Sequence, residues 1–529
     1  MGGALGRSPL SKAERTARNN GSADTEMATL ARGGRLNVFG FVLRLAGMAP
    51  FLFIGGRIYG PAALGRFAYA VLTVEFAAQV SALGLRRGLA QLLANGKKPQ
   101  ASIVADAMLV AAIASAVGTA ILVVFPKAMY PTTEVHGLDR LLAITVLAIS
   151  WTDIALAALA YHNDVASTVR SRSLIQPWTI TLVAFGWSYI SLEDGLIIAY
   201  VFSMVAALIA ALIPLLKMYG VPRGWTPDLP TSWMTAWRNV PVAAADAVEW
   251  ASRRIDLAVL GAFLPAAYVG IYYAAQQVAT LPAKLKTSFE PVLGPAIVRR
   301  FAVGDRAAVA SQVRQVTYWI IAAQLGIALA LGIPGRAVMG LVGSGFTGGT
   351  AMLSFLLAAE VIAASAFVCE AALIYIARKR NMILSLTMLT LEAGGAAALI
   401  LIMKAEGLPQ TFQATGPAIG LCVALAFAWF TKARLLEREL GHSVNGWRWN
   451  LIWATAAGVV VGVVLRAVLP EAWHLLAVPA ILVAFGAILW TKGFGPKDRE
   501  LFRMRKADLT ELRDAEAALE RDRMIDDIV

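Results

Sequence analysis

Between Leu36 and Thr491 the chain is a nearly unbroken series of helix-length apolar stretches joined by short polar links, and basic residues gather in every second link. Backbone N–H and C=O groups find no water in a hydrocarbon core, so a crossing segment is a helix or part of a closed barrel. Runs of roughly 20 apolar residues without alternation select helices, because barrel strands are about half as long and alternate. The pattern predicts fourteen spans, at residues 36–58, 66–85, 102–126, 140–161, 170–190, 195–216, 238–264, 268–293, 314–341, 350–377, 382–404, 413–431, 449–470 and 473–491.

Charge provides an independent test of that count, since a missed span would reverse the alternation of basic links after it. It does not reverse: about 26 Lys and Arg lie in the amino-terminal segment and even-numbered links, against about 7 in the odd-numbered ones. Arg86, Arg87, Lys97 and Lys98 are one such cluster, and Arg378, Lys379 and Arg380 another. Both termini are therefore expected on the cytoplasmic side of a plasma membrane.

Composition agrees with a lipid environment: 58% of residues are hydrophobic and only 15% charged, which excludes a soluble globular domain of 529 residues. The net charge of +13 follows from topology signals and attraction to an anionic leaflet. It is spread over many links, so no nucleic-acid interface is expected. Cys369 and Cys422 fall inside spans and the four His are scattered, so neither a disulfide framework nor a metal site is suggested.

Residues 1–35 are polar and lack an apolar core, and read as a disordered cytoplasmic arm. Residues 498–529 carry Leu501, Met504, Leu512, Ala515 and Leu519 at helical spacing among mixed charges, the pattern of a cytoplasmic amphipathic helix. No link exceeds roughly two dozen residues, which leaves no room outside the membrane for a catalytic domain.

The links hide a repeat. The turn Gly60-Pro61-Ala62-Ala63-Leu64-Gly65, followed by Tyr69-Ala70, echoes Leu264-Pro265-Ala266-Ala267-Tyr268-Val269-Gly270, followed by Tyr273-Ala274. Aligning Gly65 with Gly270 pairs the two. A second echo ends Ala-rich spans at Tyr161 and Tyr375, each before a link. Spans one to six thus recur as spans seven to twelve. An even-numbered repeat gives parallel copies about an axis along the membrane normal. The expected fold is all-α and polytopic: a six-helix bundle over 36–216, a cytoplasmic linker over 217–237, a second bundle over 238–431, and two extra helices over 449–491.

This six-plus-six-plus-two plan, the two Gly turns, and Arg254-Ile255-Asp256-Leu257 with Leu260-Gly261 before the second turn resemble the Wzx-type polysaccharide flippases of the multidrug/oligosaccharidyl-lipid/polysaccharide (MOP) exporter superfamily. The resemblance covers roughly residues 33–491. It implies a bacterial inner-membrane protein that moves undecaprenyl-pyrophosphate-linked oligosaccharides outward by alternating access, for O-antigen, capsule or exopolysaccharide assembly. It implies no enzyme chemistry and no cofactor. Its partners would be the polyprenyl-pyrophosphate-linked oligosaccharide and the bilayer, with polymerase and chain-length proteins of the same pathway. A lipid II flippase and a multidrug or cation exporter are the alternatives within the superfamily.

Each ionisable residue at mid-membrane depth costs at least about 2.5 to 3.5 kcal/mol on insertion scales, so such residues are functional candidates. On the seventh span the spacings of three, four and three residues place Asp246, Glu249, Arg253 and Asp256 on one helical face. Arg253 and Arg254, with Arg44 on the first span and Lys284 on the eighth, are the candidate pyrophosphate ligands. Glu75, Asp153, Asp246, Glu249, Asp256, Glu360 and Glu370 are the candidate coupling-ion or cavity carboxylates, with Glu75 and Asp153 foremost. Asp106 is expected at a surface.

Overall fold

A computed structural model describes residues 43–495, apart from residues 45, 96–97, 137, 163, 223, 228–232, 235–236 and 303. The amino-terminal arm and the carboxy-terminal amphipathic segment expected from the sequence lie outside the described residues. Within them the chain is helical, with no strand. The principal helices are α1 (Gly60–Ser81), α2 (Leu85–Asn95), α3 (Gln100–Val124), α4 (Thr145–Tyr161), α5 (Gln176–Trp187), α6 (Gly195–Tyr219), α7 (Val240–Ala251), α8 (Ile255–Phe263), α9 (Ala266–Ala302), α10 (Arg306–Gly332), α11 (Gly335–Val342), α12 (Thr350–Ile376), α13 (Arg378–Ala405), α14 (Gly416–Leu440), α15 (Asn450–Val468) and α16 (Ala477–Ile488).

Ten helical stretches among the described residues are long and apolar enough to cross a membrane. The difference from the fourteen spans of the pattern has local causes. Residues Ala46–Ala94 count as one stretch, although Gly60 at φ +84° breaks it just before Pro61 opens α1. The fifth predicted span is a π-type turn over Val169–Ile175 followed by the short α5. The seventh divides into α7 and α8 at Ser252–Arg254. The eighth lies in α9, whose Lys284, Lys286 and Glu290 dilute its apolar character.

The chain forms two compact units. The first holds the described part of Met1–Val278 with Met339–Met352 and Ser385–Ala424. In it, Leu89, Val104, Ile154, Leu159 and Leu215 form a core that packs α2, α3, α4 and α6 together. Side-chain donors tie these helices and the turn over Val169–Ile175 to one another's carbonyls, the bonds that remain effective where water is scarce. Trp151 Nε1 donates to Met108 O at 2.9 Å, Ser171 Oγ to Ala207 O at 2.8 Å, and Tyr219 OH to Ala158 O at 2.8 Å.

The two Gly turns of the repeat meet within this unit. A Cβ on Gly65 would lie 1.7 Å from Ala266 O, and a Cβ on Gly270 would lie 2.0 Å from Pro61 O. Pro61 precedes Gly65 by four residues, as Ala266 precedes Gly270, so the contact is reciprocal. Only residues without a side chain let two helix starts approach this closely. Close by, the buried Asp139 pairs with Arg66, whose guanidinium lies 5.1 Å from the Tyr130 ring centroid. Burial, with the Asp139 carboxylate beside it, pushes the Tyr130 hydroxyl well above its usual range.

The second unit holds Ala279–Val338, Leu353–Leu384 and the described part of Leu425–Val529. Its core gathers Tyr318, Val368, Leu436, Leu451 and Phe485 from α10, α12, α14, α15 and α16. Arg448 lies 3.8 Å from the centroid of the Tyr318 ring, and Tyr318 OH donates to Gly493 O at 2.9 Å.

Candidate functional site

The first unit concentrates the charges that sequence alone leaves scattered. Arg254 ends the turn between α7 and α8, at φ −144° and ψ 0°, and its Nη2 lies 3.2 Å from Glu75 Oε2 on α1. Tyr200 on α6, itself buried, donates its hydroxyl to Glu75 Oε1 at 3.3 Å. The Arg254 guanidinium also lies 5.8 Å from the Trp250 ring centroid.

The π-type turn at Val169–Ile175 supplies a second arginine. An extra residue per turn re-aims side chains, and such turns recur at functional positions. Here Arg172 forms an ion pair with Asp153 on α4, and its Nη1 donates to Gln176 Oε1 at 3.3 Å. Arg44, which precedes α1 in the first helical stretch, is exposed and in electrostatic contact with Arg172, Glu75, Arg254 and Tyr273. Three arginines and two carboxylates thus form one cluster, and it is only partly covered: 35% of the Arg254 side chain and 25% of Glu75 are exposed. Guanidinium forks suit the oxygens of phosphate groups.

A second cluster adjoins it through Arg254. Asp256 is fully buried in the first turn of α8 and accepts from Leu257 N at 2.8 Å, Tyr272 OH at 2.7 Å and Gln276 Nε2 at 3.2 Å. Glu392 on α13 is buried as well, and is in electrostatic contact with both Asp256 and Tyr272. Two buried acids that interact within the membrane region are candidates for holding a proton or small cation.

Several expectations are corrected. The four-charge stripe does not survive, because the turn at Ser252–Arg254 resets the helical phase between Asp246 and Asp256. Asp246 instead lies 2.9 Å from Arg87 Nε, while Arg253 is exposed and Arg254 is the residue that reaches Glu75. The side chains of Glu249 and Lys284 lie outside the described residues. Glu360 and Glu370 belong to the second unit, where Glu370 pairs with Lys432 at 3.2 Å. Asp106 is not a surface residue: it is 8% exposed, because Trp225 Nε1 donates to it at 2.8 Å and Lys98 lies 3.4 Å away. Sequence reasoning misses Arg172 and Glu392. Arg172 stands at the edge of an apolar run, where it reads as a topology signal. Glu392 is a single acid in an apolar span, and that alone marks it.

A family model described as "Polysaccharide biosynthesis protein" matches residues 56–325. No curated protein matches the chain. Among solved structures it is similar to the lipid II flippase MurJ in an inward closed conformation, with a TM-score of 0.67 at 11% identity over 88% of this chain and 99% of that one. It is similar also to an inward-facing multidrug resistance MATE family transporter of the MOP superfamily, with a TM-score of 0.57 at 14% identity over 76% and 98% of the two chains. A MOP superfamily transporter from Pyrococcus furiosus, described as having a binding pocket of reverse polarity, gives 0.51 at 13% identity over 78% and 95%. At these identities the likeness is one of fold.

Proposed function

The chain belongs to the polysaccharide biosynthesis protein family, and on that premise we propose that it is a flippase for undecaprenyl-pyrophosphate-linked oligosaccharides in the bacterial inner membrane. The observation that carries this reading is the partly exposed arginine cluster of Arg44, Arg172 and Arg254 among membrane helices. A polyprenyl pyrophosphate brings about two negative charges that must pass roughly 30 Å of hydrocarbon. Bidentate guanidinium contacts replace the water those oxygens lose, and Arg remains charged in any such setting. In this reading the three arginines receive the head group, with Glu75 and Asp153 as their counter-ions in its absence.

With both termini cytoplasmic, the Gly65–Gly270 crossing lies on the outer side, and alternating access requires it to separate. Outward movement of an anion is favoured by a membrane potential that is negative inside, by about 2.3 kcal/mol per charge per 100 mV. Asp256 with Glu392 is the coupling pair, taking up a proton or cation as the bundles rock.

Arg254→Ala tests this reading in cells that lack their own flippase. Surface polysaccharide is expected to be lost while the protein inserts normally, whereas Arg253→Ala should retain most of it. Undiminished export by Arg254→Ala contradicts the proposal. A second reading, lipid II as the cargo, rests on the fold shared with MurJ over 88% of the chain. Complementation of cells depleted of their peptidoglycan-precursor flippase separates the two. A multidrug cation exporter is disfavoured by three arginines in the cluster, which would repel a cationic drug.

A further inference from the structure

We propose that Glu75 is a built-in stand-in for the substrate's phosphate: it occupies Arg254 in the empty carrier, yields it when the pyrophosphate arrives, and recaptures it to drive release. The inference rests on the pyrophosphate reading of the arginine cluster and adds a role to a residue that would otherwise serve only as a counter-ion.

The ion pairs of this chain differ in kind. Arg66–Asp139 and Lys432–Glu370 each seal one partner almost completely, at 1% exposure for Asp139 and 2% for Lys432. Such pairs hold packing together, and an external anion has no access to them. Arg254–Glu75 is open at both partners, and its 3.2 Å separation is longer than the roughly 2.7–2.9 Å of a tight charge-assisted hydrogen bond, so an incoming phosphate oxygen can replace it. Glu75 is also aimed. The buried Tyr200 hydroxyl holds its other oxygen at 3.3 Å, so the carboxylate presents a fixed acceptor where a phosphate oxygen would sit.

The surrounding charge gives the displaced carboxylate somewhere to go. Arg44 interacts electrostatically with Glu75 as well as with Arg254 and Arg172, so a carboxylate displaced from Arg254 stays in the field of a second guanidinium. In the empty state three arginines would otherwise face two carboxylates of which only Asp153 was engaged. Unneutralised charge among membrane helices is costly, and a carrier must return empty in every cycle. Glu75 removes that cost on the return stroke. The consequence is a trade between affinity and turnover. An internal competitor weakens substrate binding, and by recapturing its arginine it keeps the substrate from remaining bound on the far side.

The experiment compares wild type, Glu75→Gln, Tyr200→Phe and Arg254→Ala in nanodiscs and proteoliposomes. The probe is undecaprenyl pyrophosphate with a fluorescent tail, and both equilibrium binding and transbilayer movement are read. Glu75→Gln keeps the shape and removes the competing charge, so binding should tighten about fivefold, the scale of a partly exposed ion pair, while movement slows. Tyr200→Phe keeps the ring that packs on Phe67 and frees the carboxylate, and should shift both readouts the same way by less. If Arg254→Ala weakens binding but neither Glu75→Gln nor Tyr200→Phe tightens it, the stand-in role is overturned and the pyrophosphate site stands. If Arg254→Ala binds the probe as well as wild type, the site reading itself fails and the inference falls with it. Tighter binding with unslowed movement also overturns it, since release would then not depend on Glu75.

Discussion

Gly65 and Gly270 face each other reciprocally: each occupies the space that the other repeat's backbone leaves, with Ala266 O against Gly65 and Pro61 O against Gly270. The repeat visible in two short sequence turns is therefore also a contact, in which equivalent positions of the two copies cross.

Either glycine should tolerate no side chain. Gly65→Ala and Gly270→Ala each place a methyl within about 2 Å of a carbonyl oxygen, an overpacking that typically costs about 1 to 3 kcal/mol. Thermal unfolding of the purified protein in detergent should show both variants destabilised by similar amounts. Gly186→Ala, which meets open space, should melt like wild type.

The Arg66–Asp139 pair should matter far more to stability than a surface pair. Asp139→Asn leaves the largely buried Arg66 without its counter-charge, and breaking a buried pair costs about 3 to 5 kcal/mol. Arg380, 70% exposed beside Glu439, should change stability by less than about 1 kcal/mol when replaced by Ala. The same unfolding measurement checks both, and comparable losses would contradict the distinction.

Arg172 should be as necessary as Arg254. Removing a charge-assisted contact to phosphate costs roughly 1.5 to 3 kcal/mol, or about tenfold or more in affinity, so Arg172→Ala should lower binding of a polyprenyl pyrophosphate by that factor. Arg172→Lys keeps the charge and loses the planar fork, and should fall between. Equal binding by all three proteins would take Arg172 out of the site.

Asp256 and Glu392 should affect coupling and not cargo binding. Glu392→Gln is expected to leave pyrophosphate affinity within about twofold of wild type, below the roughly 1.4 kcal/mol of a tenfold change, while transport in proteoliposomes loses its response to an imposed proton or sodium gradient. A lost affinity with an intact response would reverse the assignment.

Hydropathy makes the membrane class and most helices legible in the sequence, because burial in lipid imposes a length and a composition on every span. The repeat is legible for a similar reason: close backbone approach demands glycine, and glycine is visible. The charge cluster is only partly so. Arg44, Glu75, Asp153 and Arg254 stand out as charges inside apolar runs, yet which of them meet depends on two local breaks in helical phase. The π-type turn at Val169–Ile175 brings Arg172 to Asp153, and the turn at Ser252–Arg254 separates Asp246 from Asp256. Regular helical spacing assumes an unbroken helix, so it joined residues that the fold parts. Asp256 and Glu392 are 136 positions apart in the numbering, and only helix packing brings them together.

The most direct test of the central claim reconstitutes the purified chain in proteoliposomes and follows transbilayer movement of an undecaprenyl-pyrophosphate-linked sugar. Wild type should accelerate the movement well above protein-free vesicles, and Arg254→Ala should lower the rate about tenfold or more, the scale of one lost charge-assisted contact. A wild-type rate no faster than that of empty vesicles, or an Arg254→Ala rate equal to wild type, would contradict the account.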